Sequence, residues 1–181
     1  MTKSEKIEIS LRKTKLIKGL TASIVFVLIG LWLLIYKPTT SNTVFNNSLV
    51  KYGAAIASII FFGFGIFYFA KKLTDKKPGI VIDSTGILDN SSAISVGLIP
   101  WPNIIQFLTA KVMKQQFLII IVDNPNNYID KQTNFIKKKA MEYNLKTYGS
   151  PLAISANGLK CNLPELMTIL ENQLLEHKNK N

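Results

Sequence analysis

The chain reads as a membrane α-helical hairpin followed by an α+β domain. Two uncharged apolar runs of eighteen residues fall within its first 70 positions. After them the pattern changes to short β-type runs separated by turn residues, and the chain closes on an amphipathic helix. Lys and Arg gather at the flanks of the apolar runs rather than along the later part of the chain. The 181 residues therefore divide into a basic N-terminus over 1–18, a two-helix hairpin over 19–72 and a domain over 73–181.

The first run, Gly19 to Tyr36, is GLTASIVFVLIGLWLLIY, and the second, Gly53 to Ala70, is GAAIASIIFFGFGIFYFA. Each spans about 27 Å as a helix, close to the hydrocarbon thickness of a bilayer. Trp32 and Tyr36 end the first run, and Tyr52 and Tyr68 lie near the ends of the second, where amphipathic rings favour the interface. A cleaved leader would carry a shorter apolar stretch and a small-x-small site, but Lys-Pro-Thr-Thr-Ser follows here. The connector is short enough for an antiparallel pair. The small-xxx-small pairs Gly53/Ala57 and Ala54/Ser58 are expected to let the helices approach closely. Neither run holds an ionisable residue, which argues against a proton relay, ion pathway or voltage sensor.

The net charge of +11 is unevenly placed. Residues 1–72 carry ten Lys/Arg against two acids, and residues 73–181 carry twelve against nine. A nucleic-acid-binding domain needs a basic face of its own, so nucleic acid is not an expected partner. The positive-inside rule places both termini in the cytoplasm and the connector outside. Arg12, Lys13, Lys15 and Lys18, with Lys71, Lys72, Lys76 and Lys77, are candidate contacts to anionic lipid. Setting the topology alone would also account for them.

Within the domain, strands are expected at Gly79–Asp83, from Ile87, over Ile94–Trp101, Ile104–Val112, Phe117–Val122 and Pro151–Ser155, and around Leu159–Cys161. Phe117–Val122 is continuously apolar, the pattern of a central strand buried on both faces. Tyr128 to Tyr143 reads as a helix with Ile129, Ile136, Ala140 and Tyr143 at helical spacing and Lys137, Lys138 and Lys139 exposed as a candidate docking patch. The last helix begins with Asn162 and Glu165 at capping-box spacing. Leu163, Leu166, Met167, Leu170 and Leu174 then form one apolar stripe, and the polar tail from Glu176 reads as frayed. Short turns between strands imply antiparallel pairing. Six or more such strands closed by one C-terminal helix outline a pleckstrin-homology-like antiparallel barrel; an unrelated α+β sheet with two helices is the alternative.

Two N-terminal spans, then PGIVIDSTGILDNSSAISVGLIPWPNI, YGSPLAIS and the Leu-rich final helix resemble a family of uncharacterised two-pass bacterial membrane proteins. The xVIDxxGI…GxIxWxxI cadence is similar to that of bacterial pleckstrin-homology-like domains. The resemblance covers nearly the whole chain, and its motifs are structural: a turn Gly (Gly86), a strand-entry Gly (Gly97) and a packing aromatic (Trp101). Pro100 and Pro102 bracket Trp101 and depart from a regular strand there. The resemblance implies a multi-pass protein of the bacterial plasma (inner) membrane and carries over no catalytic residue.

Chemistry-bearing motifs are sparse. His177 is the only histidine and lies in the tail; Cys161 is the only cysteine, beside Lys160. Asp83, Asp89 and Asp123 fall in turns, where the side chain caps its own backbone. No Walker loop, GxGxxG or GxSxG occurs. The expectation is a non-enzymatic, membrane-anchored binding or scaffolding protein without catalytic residues, metal or cofactor. Its partners would be the bilayer, an unidentified protein and further copies of the chain. Immunity or stress protection at the membrane is the alternative.

Overall fold

The computed structural model describes residues 6–36, 38–39, 47–113 and 115–180. They form two compact units. One is the hairpin, Lys13–Lys76; the other combines the residues up to Arg12 with those from Lys77 onward.

The hairpin unit consists of α1, Lys13–Tyr36, and α2, Ser48–Thr74. Both are long and apolar enough to cross a membrane. Only 11% and 6% of their apolar windows are buried, whereas the core helix of a water-soluble protein would be mostly buried. α2 starts earlier than its apolar run because Asn47 caps it, Oδ1 accepting from the Leu49 N–H at 2.9 Å.

The two helices are antiparallel, and the seam on α1 is Gly19, Ser23, Phe26 and Gly30. These face Phe69, Gly65, Phe62 and Ile59 of α2 respectively. The Phe26 and Phe62 rings stack with centroids 4.3 Å apart. Ser58 Oγ donates to the Phe26 carbonyl at 3.2 Å, a hydrogen bond between helices. The small residues expected at the seam are only partly there. Ala55 is fully buried, while Gly53, Ala54 and Ala57 are exposed. At 100° per residue, Gly53 and Ala57 fall on the far side of the stripe through Ala55, Ile59 and Phe62.

The globular unit begins before the hairpin. β1, Ile7–Ile9, pairs antiparallel with β2, Ile80–Ile82, with Ile7 opposite Ile82 and Ile9 opposite Ile80. β3, Gly86–Asp89, and β4, Gly97–Pro100, complete a sheet of order β1-β2-β3-β4. β5, Ile104–Val112, β6, Gln115–Val122, and β7, Ala153–Ser155, form a second antiparallel sheet of order β5-β6-β7. The basic N-terminus is therefore not a free tail over its described length. Alternation of Ile7, Ile9 and Leu11 with polar residues makes it a sheet edge. Just past β1, Leu11 forms an isolated antiparallel bridge with Leu159, which lies beyond β7 and outside both sheets. Among the described residues the sheets do not close into a barrel.

Between β6 and β7 lie α3, Pro125–Asp130, and α4, Phe135–Tyr148. The single helix expected over Tyr128–Tyr143 is thus two. Asn124 caps the first and Asn134 the second, each accepting an N–H from three residues ahead. α4 buries Met141, while Ile136 and Tyr143 are exposed, so its inward face is not the one periodicity suggested. The expected strand over Ile94–Trp101 is shortened to β4, because Ser92 and Ser95 bond each other in a turn. Trp101–Asn103 is a 3₁₀ turn. Around Leu159 only the bridge forms.

The chain closes with α5, Leu163–Lys180. The capping box is reciprocal: the Glu165 N–H donates to Asn162 Oδ1 at 2.8 Å, and the Asn162 N–H to Glu165 Oε2 at 3.4 Å. Leu163, Leu166, Leu170 and Leu174 are buried, each contributing about 2 kcal/mol by leaving water. The core they join holds Ile80, Ile82, Ile87 and Ile99 of the first sheet and Leu118, Ile120 and Ile154 of the second. The tail is helical to Lys180 rather than frayed, and His177 stacks on Trp101 with centroids 6.3 Å apart.

Candidate functional site

The basic residues singled out in the sequence divide between the two units. In the hairpin, the antiparallel register that sets Gly19 against Phe69 brings Lys13, Lys15 and Lys18 to the same end as Lys71, Lys72 and Lys76. Asp75 is the one acid in residues 13–76, and it holds Lys72 at 3.4 Å. The result is one strongly cationic end, suited to an anionic surface.

Arg12 and Lys77 belong to the globular unit. The Arg12 N–H donates to the Gly158 carbonyl at 2.7 Å, and the Lys160 N–H donates to the Ser10 carbonyl at 2.9 Å. These bonds hold Arg12 on the rim of a half-open cavity of about 380 Å³. Lys111 from β5, Gln116 from β6, and Asn157, Cys161 and Asn162 from the segment leading into α5 also line it, together with the apolar Ala156, Leu163 and Pro164. Sequence reading grouped Arg12 with the membrane-flanking lysines and gave Lys111 no role. A short alternation over residues 7–11 is the one trace in the sequence of a strand ahead of Arg12.

Cys161 is buried at this cavity. Burial pushes its thiol pKa up, and the Glu165 carboxylate adds to the rise; Arg12 opposes it weakly. The neighbouring Lys160 does not activate it, so the group is a poor nucleophile at neutral pH.

The expected patch on α4 is tied down by the fold. The Lys137 amine donates to the Ser95 carbonyl. Lys138 pairs with Asp130 at 3.4 Å, and Lys139 pairs with Glu142 at 2.8 Å while lying over the Phe135 ring. Each ammonium has its own intramolecular partner. A more open feature is apolar: Leu88 of β3 and Leu98 of β4 are opposite each other and 42% and 48% exposed.

Asp83 and Asp89 act as turn caps. Each Oδ1 accepts the N–H and the hydroxyl of the residue two positions on, Thr85 and Ser91 respectively. Comparison with family models, with curated proteins and with solved structures gives no match to this chain.

Proposed function

We propose that the chain is a membrane-anchored binding module with no catalytic centre of its own. In this reading the hairpin crosses the bacterial plasma membrane twice and the globular unit works on the cytoplasmic face. The pairing of β1 with β2 carries it. These strands flank the hairpin in sequence, and an even number of crossings returns the chain to the face it left. A cleaved leader fits poorly, because removing α1 would remove β1 and uncover the edge of β2. The excess of Lys and Arg beside the apolar runs favours the cytoplasm for that face.

Seven antiparallel strands in sheets of four and three, closed by a C-terminal helix, support the pleckstrin-homology-like reading of the globular unit. The Leu88–Leu98 pair is the surface we assign to a protein partner, since it sets two apolar side chains side by side on an outer sheet face.

The test combines alkaline carbonate extraction, reporter fusions at each flank, and a photoreactive residue at Leu88 or Leu98 in living cells. Retention in the membrane, cytoplasmic flanks and a discrete protein adduct at both leucines, missing at Glu171, is the expected result. Release by carbonate or an external globular unit would overturn the anchoring. No adduct at either leucine would overturn the docking face.

A further inference from the structure

The cavity beside Arg12 has no part in that docking face. We propose that it is a phosphate-binding site, and that the phosphate is the headgroup of an anionic phospholipid in the membrane holding the hairpin. The choice of lipid as source rests on the anchored reading above; the site itself does not.

Arg12 and Lys111 are 99 positions apart in sequence, yet both line the cavity. Lys6, Lys138 and Lys139 of the same unit each pair with an acid, whereas Arg12 and Lys111 form no ion pair among the described residues. Two uncompensated cations around a concavity favour an anion. A guanidinium offers a planar fork matched to phosphate oxygens, and an ammonium adds a point charge. Gln116, Asn157 and Asn162 supply neutral polar groups around them. The volume of about 380 Å³ would hold roughly a dozen waters, enough for a phosphate with part of a glycerol.

Two further observations point to lipid as the source. Arg12 directly precedes α1 in sequence, seven positions before Gly19, where the apolar run begins. Met113, at the tip of the β5–β6 hairpin beside Lys111, is 91% exposed, and Val112 is also exposed. Apolar side chains next to a cation at a strand tip suit the boundary between headgroups and acyl chains. Glu165, whose carboxylate bonds the Asn162 N–H, is an acid near the cavity and weakens anion binding there.

Cys161 lines the cavity and is the chain's one cysteine, so its alkylation reports occupancy without an added probe. The full chain is placed in discs of phosphatidylcholine, alone or enriched in phosphatidylglycerol, and treated with excess iodoacetamide at alkaline pH, where the thiol ionises. Phosphatidylglycerol should slow Cys161 labelling by about threefold or more, as occupancy of a site at several times its Kd requires. The double variant R12Q/K111Q should lose this slowing and K160Q should keep it, with unchanged thermal unfolding in both. Glu165→Gln should deepen it. Slowing by inorganic phosphate in phosphatidylcholine discs, to the same extent, would keep the anion site and overturn the lipid source. No slowing by either probe, or slowing that survives R12Q/K111Q, would overturn the site. Carbonate extraction of the same samples reports separately on anchoring.

Discussion

The indole Nε1 of Trp101 donates to the backbone carbonyl of Asp83 at 2.7 Å, joining the 3₁₀ turn after β4 to the turn after β2. His177 of α5 stacks on the same indole. One buried aromatic thus ties a strand turn, a bracketed Pro-Trp-Pro segment and the last helix. Trp101→Phe keeps a ring but loses the donor, and should cost about 1–3 kcal/mol. Trp101→Ala should cost about 3–5 kcal/mol. His177→Ala should stay near 1 kcal/mol, the order of an aromatic pair. Urea unfolding followed by far-UV circular dichroism measures all three.

Gly86 and Gly97 both have positive φ, but their surroundings differ. A Cβ on Gly86 would lie 2.1 Å from the Ile99 carbonyl oxygen, whereas one on Gly97 would meet nothing within 4 Å. Gly97→Ala should therefore cost only the left-handed penalty of about 1–2 kcal/mol. Gly86→Ala must also push β3 away from β4, and should cost more than 4 kcal/mol or so, or prevent folding. Equal melting temperatures for the two variants would contradict this.

Asp83 makes stability depend on acid pH. Hydrogen bonds from the Thr85 hydroxyl and N–H hold its carboxyl below the ordinary value of 3.8. A carboxyl depressed in the folded state adds stability that is fully present above the unfolded value and is lost as pH falls through the folded one. Wild type should therefore exceed Asp83→Asn in stability at neutral pH, with the difference shrinking progressively as pH falls below 3.8. A difference that persists at the lowest pH would reassign the effect to shape rather than charge.

β1 and β2 are register neighbours, so the hairpin occupies the place of a strand connection. Replacing residues 13–76 by an Asn-Gly turn should give a soluble, folded domain with the same β content. Deleting residues 1–12 from that domain should expose the edge of β2 and cause aggregation, read by light scattering.

In the hairpin, Gly30 lies against Ile59 and the Ala55 carbonyl, with a Cβ clash at 2.9 Å. Gly30→Leu should wedge the helices apart. Ser58→Ala removes one interhelical hydrogen bond and should cost only about 0.6 kcal/mol. Unfolding in bicelles should rank the two in that order.

The parts legible in the sequence are those with local causes. The two apolar helices follow from runs of residues, the α5 cap from Asn162 and Glu165, the Gly86 turn from its backbone demand, and β6 from an unbroken apolar stretch. What escaped depends on distant partners. β1 is three residues whose mate lies beyond the hairpin, and a strand that short has too little pattern to stand out from a basic flank. The inward face of α4 was misassigned because helical periodicity names a stripe but not which stripe meets the sheet. Arg12 and Lys111 meet only through the fold, and no spacing in the chain links them.

The insertion of the hairpin between β1 and β2 also sets an order of events during synthesis. β1 leaves the ribosome first and has no partner until roughly seventy residues later, several seconds at ordinary elongation rates. In a bilayer, the two strands come to the same side only after both helices have been threaded. A chain whose second helix fails to return would strand them on opposite faces, and the sheet would never close. Assembly of this domain is thus its own check that the membrane insertion before it was completed.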